Sequence, residues 1–377
     1  MPDNQRSTIN NRKSNGVTFV IMAGGKGERL WPLVRAETPK VCLSVNGTTS
    51  LLEATIIRLC GSWPNAKFLV VTTQGQALWV RKCLRRVAKR FGGKTPTLLV
   101  EPAIKNTAAC ITLAAIALGS RNPHQVMVAV PADHWIDEPS AFRRCVRTAI
   151  QAALRHDTMV TIGIRPTHPD PGLGYLSAGA SLDGFRAPRV FHLLRFIEKP
   201  APRTAARLLR PSHSRIFWNS GVFVGTADKF LECVTQWLPN HTQRLVPLAQ
   251  QVGRTSFAIR AASAYRTLES VSFDRGVMDF VHEGLIVEGA FGWADLGSWE
   301  SWARLAQASR TIQCLCLESH NVMVVGQARH LVATLGLHNV VVVHTPSVTL
   351  ICDRGKVQSV RELVKRVSQD PALASYQ

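Results

Sequence analysis

The sequence predicts an α/β protein: a mostly parallel sheet flanked by helices on both faces, followed by a small C-terminal β unit. Three observations carry that reading. Apolar runs alternate with helix-like segments through the first 165 residues, the pattern of strands joined by crossover helices. From about Gly172 to Ala290 the pattern becomes irregular, mixing short strands and helices. Then "NVMVVG", "HLVATLG", "NVVVVHT" and "VTLICD" follow as short rungs with no helix between them, which suggests a solenoidal β unit.

In chain order, the first strand is the apolar run Val17–Ala23, which breaks into the glycine-rich "GGKGERL". Further strands are expected at Phe68–Thr72, Thr97–Val100, Val126–Val130 and Met159–Ile164, with helices at Ser50–Cys60, Gln74–Phe91, Asn106–Gly119 and Ala141–Arg155. An amphipathic helix from Lys356 to about Ser368 closes the chain. At 377 residues and 46% hydrophobic content, the chain can bury one large core and a small second one. The expected division is a tail over 1–16, a large unit over 17–310 and the β unit over 311–377. The tail is polar and lacks an apolar h-region, so it reads as disordered and not as a secretory signal.

A formal net charge of +20 suits nucleic acid, an anionic membrane surface or anionic small substrates. The arginines are spread along the chain. The densest cluster, "RKCLRRVAKR" at Arg81–Arg90, has helical spacing and reads as a solvated face, with nucleic-acid contact as the second reading. No stretch approaches the roughly 18 apolar residues of a membrane span, so neither nucleic acid nor membrane is an expected partner. Nine cysteines form an odd, scattered set. Cys314 and Cys316 lack the partner spacing of a zinc site, and the set reads as reduced thiols of a cytoplasmic protein.

The glycine loop is neither a Walker A sequence nor a dinucleotide fingerprint. Its physics is related: Gly24, Gly25 and Gly27 let backbone N–H groups approach an anion, and Lys26, Arg29 and Lys40 add charge-assisted donors. An ordinary turn with exposed basic residues is the competing reading. In "VPADHWID", Asp133 follows a buried strand, where a carboxylate is costly unless it meets a cleft or a cation. Asp295 in "FGWADLGSW" sits in a similar frame. Two such carboxylates suit one Mg2+ shared with substrate phosphates, and either could instead cap a helix. "FIEKP" places Glu198 and Lys199 at a strand end with opposite charges on opposite faces. "WNSGVF" sets an aromatic and an amide before a strand.

Taken in order, these segments resemble the mannose-1-phosphate guanylyltransferases (GDP-mannose pyrophosphorylases) of the sugar nucleotidyltransferase superfamily. The likeness runs from about Val17 to Val367. It is carried by "GGKGERLWPL" with "PK" at Pro39–Lys40, "EPAIKNTAA", "PADH", "GIRPTHPDPGLGYL", "FIEKP", "WNSGVF", "SFDRGVM" and "WADLGSW". The resemblance implies a Rossmann-like sheet of the nucleotide-diphospho-sugar transferase type, with the C-terminal unit like a left-handed β-helix. It also implies a reaction: GMP passes from GTP to α-D-mannose 1-phosphate with Mg2+ as cofactor. Ala23, Gly24, Gly25, Lys26 and Gly27 with Arg29 would then hold the triphosphate, with Lys40 facing its α-phosphate and Asn106 and Thr107 near the nucleotide. Asp133 and Asp295 would hold Mg2+. Lys199 would hold the sugar phosphate, with Glu198, Asn219 and the Gly174 backbone on the hydroxyls.

Three positions depart from the family pattern: Lys105 replaces an arginine, Cys110 falls in a segment where a proline is usual, and Phe280 replaces a lysine. The stretch between Trp302 and Asn321 also reads as short. A homodimer through the C-terminal β unit is the expected assembly. No cupin-sized extension follows that unit, so a bifunctional enzyme with an isomerase half is not expected. A relative using another base or sugar, and a weakly catalytic regulatory paralogue, are the rival readings.

Overall fold

The computed structural model describes residues 16–35, 37–44, 48–63, 66–90, 95–210, 215–251, 256–297, 299, 301–302, 313–326 and 330–377. The first half alternates as its sequence pattern requires: β1 (Val17–Met22), α1 (Leu51–Cys60), β2 (Lys67–Thr73), α2 (Ala77–Arg90), β3 (Thr97–Glu101), α3 (Asn106–Gly119), β4 (Val126–Pro131), the short β5 (His134–Ile136), α4 (Pro139–His156) and β6 (Val160–Ile164). The irregular middle resolves into β7 (Tyr175–Arg186), β8 (Arg189–Ile197), α5 (Pro202–Leu208) and β9 (Arg215–Thr226). After these come α6 (Ala227–Trp237), α7 (Pro239–Leu245), α8 (Phe257–Arg266), α9 (Phe273–Gly276), β10 (Leu285–Gly289) and β11 (Trp293–Asp295).

Nine strands form one sheet in the order β3-β2-β1-β4-β9-β6-β10-β8-β7. The parallel pairings β1–β2, β1–β4, β2–β3 and β6–β10 come from the alternating segments. Only β8 and β9 run against the other strands. Both come from the irregular stretch, and β9 inserts between β4 and β6. "WNSGVF" therefore lies inside β9, not before a strand. Its Asn219 and Ser220 are buried because neighbouring strands flank both edges.

Successive residues of β1 face opposite cores, as a pleated strand demands. Phe19 and Ile21 join α1, α2 and α4 on one side. Val20 joins α3 and helices α6 to α9 on the other. On α2 the basic residues Arg81, Lys82, Arg85, Arg86, Lys89 and Arg90 are exposed, while Cys83, Leu84, Val87 and Ala88 are buried, a solvated face over an apolar one.

The C-terminal rungs are β12 (Gln313–Leu317), β13 (Met323–Gly326), β14 (Leu331–Leu335), β15 (Val340–His344) and β16 (Thr349–Asp353), closed by α10 (Val360–Gln369). Gln313 pairs with Leu331 and Met323 with Val341, both in parallel and both 18 residues apart in sequence. That fixed offset is the coil of a β-helix. A short 3-10 turn, Arg354–Ser359, precedes α10, so the closing helix starts later than its periodicity suggests. Val360, Val364 and Val367 pack with Leu30, Trp31, Trp299 and Trp302 into a third core. The unit is thereby built onto the segment that follows the glycine loop. The boundary expected at 310, the tail before Gly16 and most of the stretch after Trp302 lie outside the described residues.

Candidate active site

The loop after β1 is tied down before it can present anything. Ala23 donates its N–H to the Val71 carbonyl at 2.8 Å, and its own carbonyl accepts from Thr72 Oγ1 at 2.7 Å. Ala23 thus anchors the loop and offers no free N–H. Gly27 has φ +67, and a Cβ there would lie 2.9 Å from Cβ of Lys40, so only glycine lets the Lys40 stem pass. Lys26 turns outward to Glu28 at 3.2 Å.

Lys40 is the centre. Its Nζ lies 2.5 Å from Asp133 Oδ2 and 3.7 Å from Asp295 Oδ1, with its side chain only 8% exposed. β5 and β11 bring the carboxylates together by pairing antiparallel, with Asp295 opposite His134. Asp295 thus ends a strand and faces a cation. Burial works against the charge on both Lys40 and Asp133, and their mutual attraction outweighs it. Lys40 is held above the usual lysine range, and Asp133 is drawn down to about 2. Burial instead lowers His134, which accepts from the Trp293 indole at 3.2 Å through Nδ1.

Two cavities meet at this ion cluster. One, of about 360 Å3, is lined by Gly24, Gly25, Lys40, Glu101, Asn106 and Asp133, among others. Thr107 also lines it and accepts the Phe273 N–H on its hydroxyl at 2.8 Å. The Lys105 ammonium donates to the Leu268 carbonyl at 2.5 Å. Cys110 is a buried residue of α3 on the cavity wall. The second cavity is lined by Arg29, Asp170, Gly172, Trp218, Trp293 and Asp295. Arg29 therefore stands on the Asp295 side, where its Nη1 donates to Gln358 at 3.2 Å.

A third cluster lies along β7, β8 and β9. A Cβ on Gly174 would come within 2.8 Å of Glu198 Oε2, and the Gly174 carbonyl accepts the Asn219 N–H at 2.8 Å. Lys199 does not point away from Glu198 as a continuing strand would require. β8 ends at Ile197, Lys199 adopts φ +44, and the two charged heads meet at 3.0 Å.

Sequence reasoning missed two carboxyls. Asp274 accepts from Asn219 Nδ2 at 2.6 Å, and burial beside Glu198 raises it to about 6; "SFDRGVM" held the signal. Glu101 is buried, accepts from the Tyr265 hydroxyl at 2.9 Å, and is raised by burial to about 8. Phe280 lies outside the three clusters, stacked on Trp237 at 5.0 Å.

A family model described as nucleotidyl transferase matches residues 18–312. The chain belongs to that family. A second model, described as MannoseP isomerase/GMP-like beta-helix domain, matches 313–367 of the transferase. Mannose-1-phosphate guanylyltransferase of Escherichia coli K12 is 33% identical over 359 residues, 93% of this chain and 73% of that protein. The ManC protein of Salmonella typhimurium LT2, also named mannose-1-phosphate guanylyltransferase, is 32% identical over the same shares. A crystal structure from Thermus thermophilus, named mannose-1-phosphate geranyltransferase, superposes with a TM-score of 0.75 at 29% identity, over 94% of this chain and 99% of that one. The transferase is thus a member of the mannose-1-phosphate guanylyltransferase group.

Proposed function

We propose that the chain transfers GMP from GTP to α-D-mannose 1-phosphate. A phosphate oxygen of the sugar phosphate forms the new bond to the α-phosphorus, the bond to the bridging oxygen breaks, and pyrophosphate leaves with that electron pair. The observation that carries the reading is the Lys40–Asp133–Asp295 cluster at the junction of two cavities. In-line transfer of this kind needs two anions positioned and the α-phosphate charge neutralised, with no protein nucleophile.

The first cavity suits the nucleotide. Gly24 and Gly25 approach the phosphates, Asn106 and Thr107 at the start of α3 add a helix N-terminus, and Lys40 faces the α-phosphate. Glu101, giving up its proton as the base docks, suits the N1–H and N2 amino donors of guanine, which adenine lacks, and a base that leaves such a group unpaired is rejected strongly. The second cavity and the third cluster suit the sugar phosphate: Lys199 and Arg29 on its anionic end, Glu198, Asn219 and Gly174 on its hydroxyls. The buried Trp218 indole N–H, without a partner among the described residues, is one more donor on that wall. Arg29 is thereby moved from the triphosphate to the boundary between the two substrates.

The donor set fits Mg2+. Among the described residues no group of three or more His, Cys, Asp or Glu could hold a metal, but Mg2+ is ordinarily held by one or two carboxylates plus substrate phosphates. Asp133 and Asp295 already share the cation of Lys40. Bound there, Mg2+ would neutralise charge on the triphosphate.

Residues 17–310 form the catalytic unit in this reading and 311–377 the β unit. On β12 and β14 the exposed Leu315, Leu317, Leu331 and Leu335 share one face by register, which favours a homodimer through that unit. No helix among the described residues is long and apolar enough to cross a membrane; a cytoplasmic enzyme that binds neither membrane nor nucleic acid completes the proposal. The test is a grid of four nucleoside triphosphates against several sugar 1-phosphates with Mg2+, scored by pyrophosphate release. GTP with mannose 1-phosphate should be fastest, with sharper selection for the base than for the sugar. A preference for UTP or dTTP refutes the assignment. Nucleotide binding without turnover in any cell would favour the regulatory paralogue.

A further inference from the structure

The turn that carries Lys40 meets α2 through two thiols. Cys42 ends the three-residue turn Lys40–Cys42, Cys83 lies on the buried face of α2, and their sulfurs are 3.5 Å apart. Arg86, one turn beyond Cys83, donates from Nη2 to the Cys83 sulfur at 3.2 Å. Glu53 fixes that guanidinium by accepting from its Nε at 2.6 Å. The Ser50 hydroxyl, which caps α1, donates to the same sulfur at 3.7 Å. A cation and hydroxyl donors around one sulfur favour the thiolate, the reactive form. The hydrogen bond with Cys42, helped by Ser50 and Arg86, draws Cys83 down to about 7 against burial; the same bond and burial push Cys42 up. The pair holds one readily lost proton, and Cys42 is partly exposed, giving a small oxidant its way in.

We propose that Cys42 and Cys83 are a thiol-oxidation site, closed to a disulfide by hydrogen peroxide or another hydroperoxide, that displaces Lys40 and shuts the active site. The thiolate sulfur attacks a peroxide oxygen and the O–O bond breaks. The departing oxygen, taking up the proton of the partner thiol, leaves as water or alcohol, and a sulfenic acid remains. The partner sulfur then attacks the sulfenic sulfur, the S–S bond forms, and the hydroxyl leaves as water with a proton taken up from solvent. Two electrons pass from sulfur to peroxide, and an external dithiol returns them. Bond formation at about 2.05 Å draws the sulfurs together by about 1.5 Å. Cys42 shares its turn with Lys40, so the strain falls on the Nζ contacts to Asp133 and Asp295. Misplacing a positioned group by about 1 Å costs on the order of 100-fold in rate. Only this effect on turnover rests on the transferase reading; the bond itself does not.

The test uses the full chain carrying Cys314→Ser and Cys316→Ser, because those exposed sulfurs lie 3.2 Å apart and would oxidise on their own account. The protein is treated with a few equivalents of hydrogen peroxide, remaining thiols are alkylated, and peptides are weighed. We expect a Cys42 peptide joined to a Cys83 peptide with loss of two hydrogens, undone by dithiothreitol. Pyrophosphate release should fall on the order of 100-fold and return on reduction. Adding Cys42→Ser should abolish the cross-link and the peroxide sensitivity while leaving basal turnover near normal. The proposal is overturned if other cysteines oxidise and this pair stays free, or if the cross-link forms in an active enzyme without loss of rate. In a preparation with no transferase activity, the joined peptide alone decides whether the site exists.

Discussion

Replacing Lys40 by methionine keeps most of the length and the apolar stem of the side chain and removes the ammonium group with its charge. The stem can therefore still pass Gly27, while Asp133 and Asp295 lose the cation between them. The cost to stability follows from Asp133. Burial raises its pKa, and Lys40, joined by His134 and a backbone hydrogen bond, more than reverses that, taking it from 3.8 to about 2; at about 1.4 kcal/mol per unit the drop is worth about 2 kcal/mol. The Asp133 side chain is 28% exposed, so solvent screening leaves about 1–2 kcal/mol. The sign is that of a depressed carboxylate: the stabilisation is present above 3.8 and lost as pH falls toward 2. Lys40→Met should therefore unfold at lower urea near neutral pH and converge with the wild type in strong acid. Turnover should fall about 100- to 1000-fold, as when one preorganised donor to a developing charge is removed. Urea titrations across pH and pyrophosphate release on the same preparations measure both. Turnover within threefold of wild type would refute the placement of Lys40 at the α-phosphate; an unchanged urea midpoint at pH 7 would refute the electrostatic accounting.

Asp133→Ala and Asp295→Ala should each lower Mg2+-dependent turnover roughly a thousandfold, several kcal/mol of charge stabilisation at about 1.4 per decade; near-normal activity in either variant would remove that aspartate from the metal. Lys199→Ala should raise the KM for the sugar 1-phosphate about tenfold or more, with GTP affinity by calorimetry little changed; the opposite pattern would move Lys199 to the nucleotide. Glu101 holds a proton in the folded chain between its ordinary 4.5 and about 8, so it favours folding at low pH and that advantage is lost as pH rises through this window. Glu101→Gln should flatten the decline in urea midpoint across it and lower selectivity for GTP over ATP about tenfold or more; an unchanged pH slope would show that the carboxyl is already ionised.

Local pattern determined the elements. Alternating apolar and helical stretches place β1 to β4, β6 and α1 to α4 within a few residues, because strand and helix periods are written in neighbouring residues; the short β5 was not foreseen. The motifs likewise marked Asp133, Asp295, Lys40 and Asn219. The role of each depends on neighbours that sequence order hides. Lys40 and Asp133 are 93 positions apart, and their charges acquire meaning only when the β5–β11 pairing sets Asp295 beside them. Glu101 is an ordinary strand-end carboxyl until burial against Tyr265, 164 positions away, keeps its proton on. Lys199 was expected on the far face from Glu198, and a positive φ brought it back. Cys42 and Cys83 looked scattered at a separation of 41, and the packing of α2 on the Lys40 turn made them neighbours. Period and propensity act over a few residues, whereas desolvation and Coulomb attraction act through space, so the sequence determined where the chain bends and only the folded sheet decided which charges meet.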